Sequence, residues 1–428
     1  MKAEIISIGN ELLIGDTVNT NASWIGQLLT EEGVEVLGIH TIGDDLDVVK
    51  QTLKRSMEQC DLVITTGGLG PTHDDVTKLA LQQLFEVETV IDESVLSFVK
   101  EMFEKRNIPF TKSNYHQAER PENAEVLFNS QGTAPGLWFE EYGCSLAVLP
   151  GVPFEMKHLM REKVLPRLRE KLQDQWFRRS RYLVTAGIGE STLSDEVIGE
   201  LDHLLQSGTT VAYLPSPYGV RIRITSPGRS VEEIEQKIKP VADYIYQKAG
   251  DLVIGEGKDL QLSEALGAKL REKKLTIATA ESCTGGLLAS TLTDIPGSSD
   301  YVTGGTVAYA NKVKTDELNV SRSMLAEHGA VSKPVALQMA RQIARKYGTD
   351  IGVSTTGIAG PGGGTDEKPV GTIWVGFWST GKHFALNTLF TNNRLVNKER
   401  TVAVAMEMVR RVLLDLDTMP YGLEPEWA

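Results

Sequence analysis

The sequence is short of cysteine and has no long apolar run, and these absences exclude several classes of protein. Cys60, Cys144 and Cys283 are odd in number and far apart, with neither a CxxC pair nor a histidine cluster nearby. We therefore expect neither a disulfide framework nor a structural zinc site. No window reaches the roughly 18 apolar residues of a membrane span, and the first residues, MKAEIISIGNELLIG, lack the basic start and apolar run of a signal peptide. These features predict a cytoplasmic protein with no membrane partner.

Positive charge is also scarce, since 44 Lys and Arg residues stand against 57 Asp and Glu residues, a formal net charge of −13. Nucleic acids and polyphosphates meet a repulsive average field on such a protein, and only locally arranged donors could overcome it. We therefore expect no nucleic-acid partner.

With 428 residues, the chain is too long for one hydrophobic core, so two or three domains are expected.

The order of the predicted elements divides the chain into three domains. Strands alternate with helices over the first 90 residues, which predicts a parallel, doubly wound sheet in a first domain of residues 1–175. Residues 176–250 are predicted as a small α+β unit of β-α-β-β-α order, in which STLSDEVIGELDHLL forms one helix and GDLVIGEGKD leads out as a linker. Residues 258–420 form a third domain. The predicted fold class is therefore α/β, with two layered α/β domains joined by a small α+β unit.

A turn in the third domain carries two candidate nucleophiles. The stretch ATAESCTGG, residues 278–286, lies between an apolar strand and a helix of small residues, and it contains Ser282 and Cys283. Such a turn exposes its side chains and directs free backbone N–H groups at a ligand. Gly285 and Gly286 present no side chains, so the turn could admit a carbonyl or a phosphate to its amides.

A serine nucleophile needs a base, and the two histidines of the third domain do not stand in an Asp-His pattern. A lysine desolvated in a pocket can have its pKa lowered enough to accept a proton from a hydroxyl. Lys312 and Lys314 follow the strand TVAYA and are both candidates. Cys283 would need a cationic partner, and alternation puts it on the opposite side of the turn from Ser282. We favour the interpretation that Cys283 is a small core residue.

Two further features of the third domain suggest a phosphorylated substrate. The run TGIAGPGGGTDEKPVGT, residues 356–372, could fold its amides around an anion, although Gly/Pro runs are more often plain loops. Arg394 in TNNR could supply a bidentate phosphate contact.

The first domain contains a glycine turn of its own. DLVITTGGLGPTHDDVTKLAL places Gly67, Gly68 and Gly70 just after a strand, with Asp74 and Asp75 at the start of a helix. A glycine turn that leads into a helix is a phosphate site in general terms. The two aspartates can be interpreted in two ways. They could be favourable negative charges in the first turn of a helix, or they could be ligands that hold Mg²⁺ against a pyrophosphate.

The third domain resembles a known family through several motifs in order: AESCTGG, PGSSDYVTGG, YANKVK, TGIAGPGGGTDEKPVGT and NNR. Over residues 260–415 it is similar to the C-terminal domain of CinA, the competence/damage-inducible family, and to stand-alone nicotinamide mononucleotide deamidases. The resemblance implies a Ser-Lys pair at Ser282 and Lys314, five residues after Tyr309, and a reaction that needs no cofactor. That reaction is hydrolysis of the carboxamide of nicotinamide mononucleotide to nicotinate mononucleotide and ammonia. The substrate-binding positions that it implies are Thr284, Gly285, Gly286, Tyr309, Thr356, Gly357, Gly360 and Arg394. Where the family usually has Gly-Asp-Arg, this sequence has Asn392-Asn393-Arg394.

The first domain resembles the amino-terminal CinA domain, which is related to molybdopterin-binding proteins of the MoaB/MogA type. The motifs are SIGNELLIGDTVNTN, IGDD, TTGGLGPTHDDVT, GTAPG and LPGVPFEM, over residues 1 to about 170. The resemblance implies hydrolysis of ADP-ribose with a divalent metal ion such as Mg²⁺. It places phosphate on the turn of Gly67, Gly68, Gly70 and Thr72, and the metal on Asp44, Asp74 and Asp75.

The middle unit resembles the KH-like segment of this family. Its candidate loop, AGIGES, has Gly187 and Gly189 at the wrong spacing for the GxxG loop that clamps RNA. We therefore expect a spacer or a dimer element, and a homodimer overall.

The leading hypothesis is a bifunctional enzyme of pyridine-nucleotide salvage that acts on nicotinamide mononucleotide and ADP-ribose. The alternatives are a competence or DNA-repair accessory that acts by binding, and a pterin-binding protein.

Overall fold

The computed structural model describes residues 1–70, 76–172, 177–206 and 208–428. They form two compact units, of which the first comprises Met1–Arg179 with Pro227–Ile234 and the second comprises Ser180–Ser226 with Glu235–Ala428. Within these ranges, none of the helices has the length and apolar character needed to cross a bilayer. The fold class is α/β, with sheets and helices in both units.

The first unit is built on a six-stranded sheet and a separate two-stranded ribbon. Its strands are β1 (Lys2–Ile8), β2 (Glu35–Ile42), β3 (Leu62–Thr66), β4 (Thr89–Ile91), β5 (Glu119–Pro121), β6 (Glu125–Leu127), β7 (Gly136–Glu141) and β8 (Cys144–Leu149). The sheet order is β2-β1-β3-β8-β7-β6, and β4 pairs with β5. Within this sheet, β2, β1, β3 and β8 run parallel to one another. The strands β7 and β6 are antiparallel additions at one edge.

Helices cover both faces of this sheet. They are α1 (Asn10–Leu13), α2 (Thr20–Glu31), α3 (Leu46–Gln59), α4 (Thr77–Phe85), α5 (Glu93–Lys105), α6 (Lys112–Tyr115), α7 (Pro153–Leu159) and α8 (Leu165–Lys171), the last two joined by a π-helical turn at Met160–Val164. Ile5 of β1 packs in the same core cluster as Ile25 of α2, whereas the adjacent Ile6 packs with Leu53 of α3. A strand that is buried on both faces is typical of a parallel sheet covered by helices.

A small antiparallel sheet, most of whose residues belong to the second unit, has the strand order β10-β11-β9-β12. Its elements are β9 (Phe177–Thr185), β10 (Thr210–Ser216), β11 (Gly219–Gly228), α9 (Val231–Ala249) and β12 (Val253–Glu256). Two predictions for this region were wrong. The predicted helix STLSDEVIGELDHLL is a π-helix at Thr192–Ile198 and a 3₁₀ turn at Asp202–Leu204, because Gly199 has a φ of +72° that a helix cannot continue through. The predicted linker contains β12, which pairs with β9.

A second six-stranded sheet follows, in the order β14-β13-β15-β16-β17-β18. Its strands are β13 (Ile277–Glu281), β14 (Val302–Val307), β15 (Ile351–Gly357), β16 (Thr372–Ser379), β17 (Lys382–Leu389) and β18 (Glu426–Trp427). Its helices are α10 (Leu262–Lys273), α11 (Leu287–Thr293), α12 (Asn311–Leu318), α13 (Arg322–His328), α14 (Lys333–Tyr347) and α15 (Arg394–Leu413). The strands β14, β13 and β15 are parallel, and the others are antiparallel.

Alternation along β13 directs its side chains to two different helical layers. Ile277 packs in the cluster that contains residues of α10, α11 and α15, whereas Ala278 and Ala280 pack with residues of α12 and α14. Because β13, β14 and β15 are parallel, the segments that follow their carboxyl ends meet at one edge of the sheet. These segments are the turn that carries Ser282, the segment that leads into α12 and the glycine-rich run.

Candidate active site

Ser282 and Lys314 are in direct contact at this edge of the sheet. Lys314, on α12, has its Nζ atom 2.9 Å from the Oγ atom of Ser282. The same Nζ donates to the backbone oxygens of Ala308 at 2.7 Å and Tyr309 at 3.1 Å. The lysine nitrogen is therefore held on three sides by oxygen atoms, one of which is the serine hydroxyl.

Burial changes the acid–base behaviour of this lysine. Lys314 is only 1% exposed and Ser282 is 8% exposed. Desolvation lowers the pKa of the Lys314 ammonium from 10.5 to about 8, because burial disfavours the charged form. About a tenth of the molecules thus carry a neutral amine at pH 7, and a neutral amine has a lone pair that can accept the hydroxyl proton.

The other candidate lysine lies in a different environment. The side chain of Lys312 is 85% exposed and forms an ion pair with Asp316. That carboxylate raises the pKa of Lys312, so this residue stays cationic. Lys314, and not Lys312, is the lysine beside Ser282.

Cys283 packs in a hydrophobic core. It belongs to the core cluster formed with α10, α11 and α15, although part of the residue also lines the cavity next to Ser282. Burial raises the pKa of its thiol to about 12. A thiol of this kind is almost fully protonated at neutral pH and is a poor nucleophile, in agreement with the core position expected from alternation.

A cavity of about 210 Å³ opens beside the pair. Four of the sequence-predicted residues line it together with Ser282 and Lys314, and these are Tyr309, Thr356, Gly357 and Arg394. Arg394 donates to the backbone oxygen of Gly360 and to the hydroxyl of Tyr309, both at 2.8 Å. The guanidinium therefore joins the glycine-rich run to the segment after β14 at the mouth of the cavity.

The N–H groups of the two glycines in the turn after Ser282 have acceptors within the protein. The N–H of Gly285 donates to the backbone oxygen of Ser282 at 3.1 Å, and the N–H of Gly286 donates to the carboxylate of Glu281 at 3.0 Å. Thr284 is fully buried, and its hydroxyl bonds to that of Thr355 at 2.6 Å. A neighbouring side chain and a tight turn therefore take the N–H groups of the two glycines.

The sequence pattern did not indicate the hydrogen-bonding role of Glu281. Its carboxylate accepts from residues five, seven and eight positions further on, which are Gly286, Leu288 and Ala289. This spacing differs from that of an N-cap or a capping box, in which the partner lies two or three residues away.

The first unit contains a cavity of about 460 Å³. Gly67, Gly68, Gly70 and Asp44 line it, and a carboxylate oxygen of Asp44 accepts from the backbone N–H of Asn10 at 2.9 Å. The other predicted residues of this site, Thr72, Asp74 and Asp75, lie outside the described residues.

Glu155 also lines this cavity and was missed from the sequence, where it was part of a quoted motif without a role. It is 8% exposed and accepts from the amide of Asn129 at 2.6 Å. Burial raises the pKa of its carboxyl group. An acidic residue in the first turn of a helix is ordinary for dipole reasons, so the pattern alone did not identify it.

Two acidic residues of the first unit, Asp44 and Glu155, are described beside its cavity. No group of three or more His, Cys, Asp or Glu residues is arranged to hold a metal ion in the described ranges. Asp74 and Asp75, two of the three expected metal ligands, lie outside these ranges, so the metal site stays a prediction.

Three family models match successive parts of the chain. The probable molybdopterin binding domain matches residues 4–170, the damage-inducible protein CinA KH domain matches residues 180–255, and the CinA C-terminal domain matches residues 259–413. The Ser282–Lys314 pair and its cavity fall within the last of these.

Relatives match the chain over almost its full length. A CinA-like protein from Salinibacter ruber is 44% identical over 414 residues, which is 96% of this chain and 100% of the relative. A putative competence-damage inducible protein from Clostridium botulinum is 43% identical over 96% of this chain and 100% of its own. A crystal structure of the protein CinA with unknown function from Thermoplasma acidophilum covers 40% of this chain and 99% of its own, with 35% identity and a TM-score of 0.36. On the identity and coverage of the full-length relatives, the chain belongs to the CinA family.

Proposed function

We propose that the second unit is an amidohydrolase that converts nicotinamide mononucleotide to nicotinate mononucleotide and ammonia. The observation that carries this proposal is the contact of 2.9 Å between Ser282 and the buried Lys314. Burial lowers the pKa of this lysine to about 8. A nucleophile in hydrogen-bond contact with a base of suitable pKa is the basic requirement for covalent acyl transfer.

The hydrogen bonds of Lys314 fit a base in its neutral form. A neutral amine has two N–H groups and one lone pair. The two backbone oxygens of Ala308 and Tyr309 can accept both N–H groups, which leaves the lone pair directed at the hydroxyl of Ser282. The lysine would thus be oriented for proton transfer before the substrate arrives.

The reaction then follows in two halves. Lys314 takes the hydroxyl proton while Ser282 Oγ bonds to the carboxamide carbon, and the C=O electron pair moves onto oxygen. Lys314 returns the proton to the amide nitrogen as the C–N bond breaks, and ammonia leaves. Water, deprotonated by the same lysine, attacks the acyl carbon and releases nicotinate mononucleotide with Ser282 restored.

The size of the cavity suggests which part of the substrate it encloses. A volume of about 210 Å³ is below the roughly 300–1,000 Å³ of pockets that enclose a drug-sized ligand. The cavity would therefore hold the nicotinamide ring, with the ribose phosphate at its mouth beside Arg394. An arginine is suited to a phosphate because it donates two parallel hydrogen bonds.

The direct test is ammonia release from nicotinamide mononucleotide by the full chain, with Ser282→Ala as the control. Rapid acid quenching should trap a nicotinoyl group on the peptide that contains Ser282, detected by mass spectrometry. If the wild-type chain releases no ammonia from this substrate, or the variant retains wild-type activity, the proposed function is wrong.

A second activity, hydrolysis of ADP-ribose, is proposed for the first unit. It is supported by the cavity of about 460 Å³ lined by Gly67, Gly68 and Gly70, which is large enough to enclose a nucleotide and has the glycine turn suited to phosphate. The test measures ribose 5-phosphate from ADP-ribose, with and without Mg²⁺, in the wild type and in Ser282→Ala. We expect equal activity in both proteins. If neither protein forms the product, this second activity is excluded.

A further inference from the structure

The second unit contains another cavity, to which neither proposed reaction gives a role. Its volume is about 500 Å³, within the range of pockets that enclose a small ligand. Its walls come from the small antiparallel sheet, from the start of α10, from α11 and from α15. None of the residues that line it also lines the cavity beside Ser282, so the two cavities are separate.

The first turn of α10 brings unpaired donors to the wall of this cavity. Leu262 and Ser263 line it, and their N–H groups form no hydrogen bond within the described parts of the chain. The hydroxyl of Ser263 also has no partner, although the residue is only 1% exposed. Buried donors are nearly always paired, so unpaired donors on two consecutive buried residues indicate that an acceptor belongs here.

An anion is the acceptor that fits these donors best. The start of a helix carries partial positive charge, and α10 is 12 residues long. Arg221 of β11 lines the same cavity and donates to the backbone oxygen of Lys258, in the segment that leads into α10, at 2.6 Å. The remaining N–H groups of this guanidinium form no other hydrogen bond within the described residues. A cationic side chain is thus fixed next to the unpaired donors.

The rest of the cavity indicates what the anion is attached to. Tyr218, Ile254 and Leu287 are partly buried and pack against the core of the second unit, and they give the cavity an apolar wall with one aromatic ring. Asp259 and Asp294 also line it and are exposed. A carboxylate accepts hydrogen bonds from hydroxyl groups and repels a second anion. The ligand that fits has one anionic group, hydroxyl groups and an apolar ring.

We propose that this cavity binds a nucleoside monophosphate. Its phosphate lies at the start of α10 beside Arg221, and its ribose hydroxyls donate to Asp259 and Asp294. Its base lies against Tyr218, since nucleobases stack on aromatic side chains. This inference does not depend on the proposed deamidase function, because it uses none of the residues of that site.

The first test locates adenosine monophosphate on the wild-type chain in a crystal structure and measures its affinity by calorimetry. Phosphate oxygens should lie about 2.7–3.2 Å from the backbone nitrogens of Leu262 and Ser263. At this site adenosine should bind about 10²-fold more weakly, because it lacks the charged acceptor. Ribose 5-phosphate should bind at least about tenfold more weakly, because it lacks the base. The inference is overturned if the nucleotide binds only elsewhere on the chain, or if either fragment binds here as tightly as the nucleotide.

The second test compares Ser263→Ala with Ser354→Ala in the full chain. The first variant should weaken nucleotide binding at this site about tenfold, since it removes a hydrogen bond to a charged group. Without nucleotide its melting temperature should equal or exceed that of the wild type, because an unpaired buried hydroxyl is lost. Ser354 is also fully buried, but its hydroxyl donates to Ala336 O at 2.6 Å. Its variant should melt at a lower temperature and bind normally, and the same result for Ser263→Ala would overturn the inference.

The third test separates the role of Arg221 from that of general positive charge. Arg223 lies two positions further along β11 and does not line the cavity, so Arg223→Ala is a matched control. Arg221→Ala should weaken binding of adenosine monophosphate at this site by about 10-fold to 10²-fold, the loss expected for charge-assisted hydrogen bonds. Arg223→Ala should stay within about twofold of the wild type. Equal affinities in the two variants contradict the placement of the phosphate.

Discussion

The Nζ atom of Lys314 lies 2.9 Å from the Oγ atom of Ser282, although 32 positions separate the two residues. Ser282 follows β13, and Lys314 belongs to the helix that follows the neighbouring parallel strand, β14. The parallel pairing of these two strands thus brings nucleophile and base together. A nucleophile and its base act as a unit, so the loss of either should disable both.

Lys314→Ala should therefore reduce ammonia release by about 10³-fold or more, as expected when covalent catalysis loses its base. Lys312→Ala is the matched control, because it removes a lysine two residues away that is exposed and paired with Asp316. That variant should retain wild-type kcat. Steady-state kinetics of both variants decide the point, and a greater loss in Lys312→Ala than in Lys314→Ala would refute the assignment of the base.

The rate should depend on pH through the lysine. Burial lowers the pKa of Lys314 to about 8, so about a tenth of the molecules hold the neutral amine at pH 7. We expect kcat/KM to rise about tenfold per pH unit below pH 8 and to level off above it. A pH profile of the wild type measures this directly, and a rate that falls between pH 6 and pH 9 would contradict a neutral base.

Cys283→Ala should leave deamidation largely intact. Burial raises the pKa of this thiol to about 12, and a protonated thiol is a weak nucleophile. Iodoacetamide should accordingly inactivate the wild type no faster than it inactivates Cys283→Ala. If alkylation inactivates the wild type and spares the variant, or if Cys283→Ala is inactive while Ser282→Ala works, the thiol is the nucleophile.

Arg394→Ala should raise KM with little change in kcat, since a contact to a remote phosphate stabilises the ground state and the transition state alike. Arg400→Ala serves as the control, because it removes an exposed arginine from the same helix. The effect of Arg394→Ala should vanish when nicotinamide riboside, which lacks the phosphate, replaces the nucleotide. A loss confined to kcat would place Arg394 at the reacting carbonyl instead.

The sequence predicted the layered α/β architecture well, because hydrophobic alternation and glycine turns are local signals. It predicted less about the site. From the residues alone, both Lys312 and Lys314 remained candidates for the base, and the spacing from Tyr309 distinguished them only through a family resemblance. The bonds of Glu281 to residues 286, 288 and 289 had no local signal, since they depend on how α11 packs on β13. The interruption of a predicted helix at Gly199 shows that one residue with positive φ can override a helical pattern.

The burial of Lys314 also has a consequence for folding. Its pKa of about 8 in the folded chain lies below its usual 10.5, so the unfolded chain binds more protons between these two pH values. The free energy of unfolding should therefore rise as the pH increases from 8 to 10.5, and below pH 8 the lysine should lower it by roughly 3 kcal/mol, since one pKa unit corresponds to about 1.4 kcal/mol. Lys314→Met, with an apolar side chain of similar length, should then be more resistant to urea than the wild type at pH 7 and inactive as an enzyme. The residue that would make the chain a catalyst is, on this account, one that makes its fold less stable.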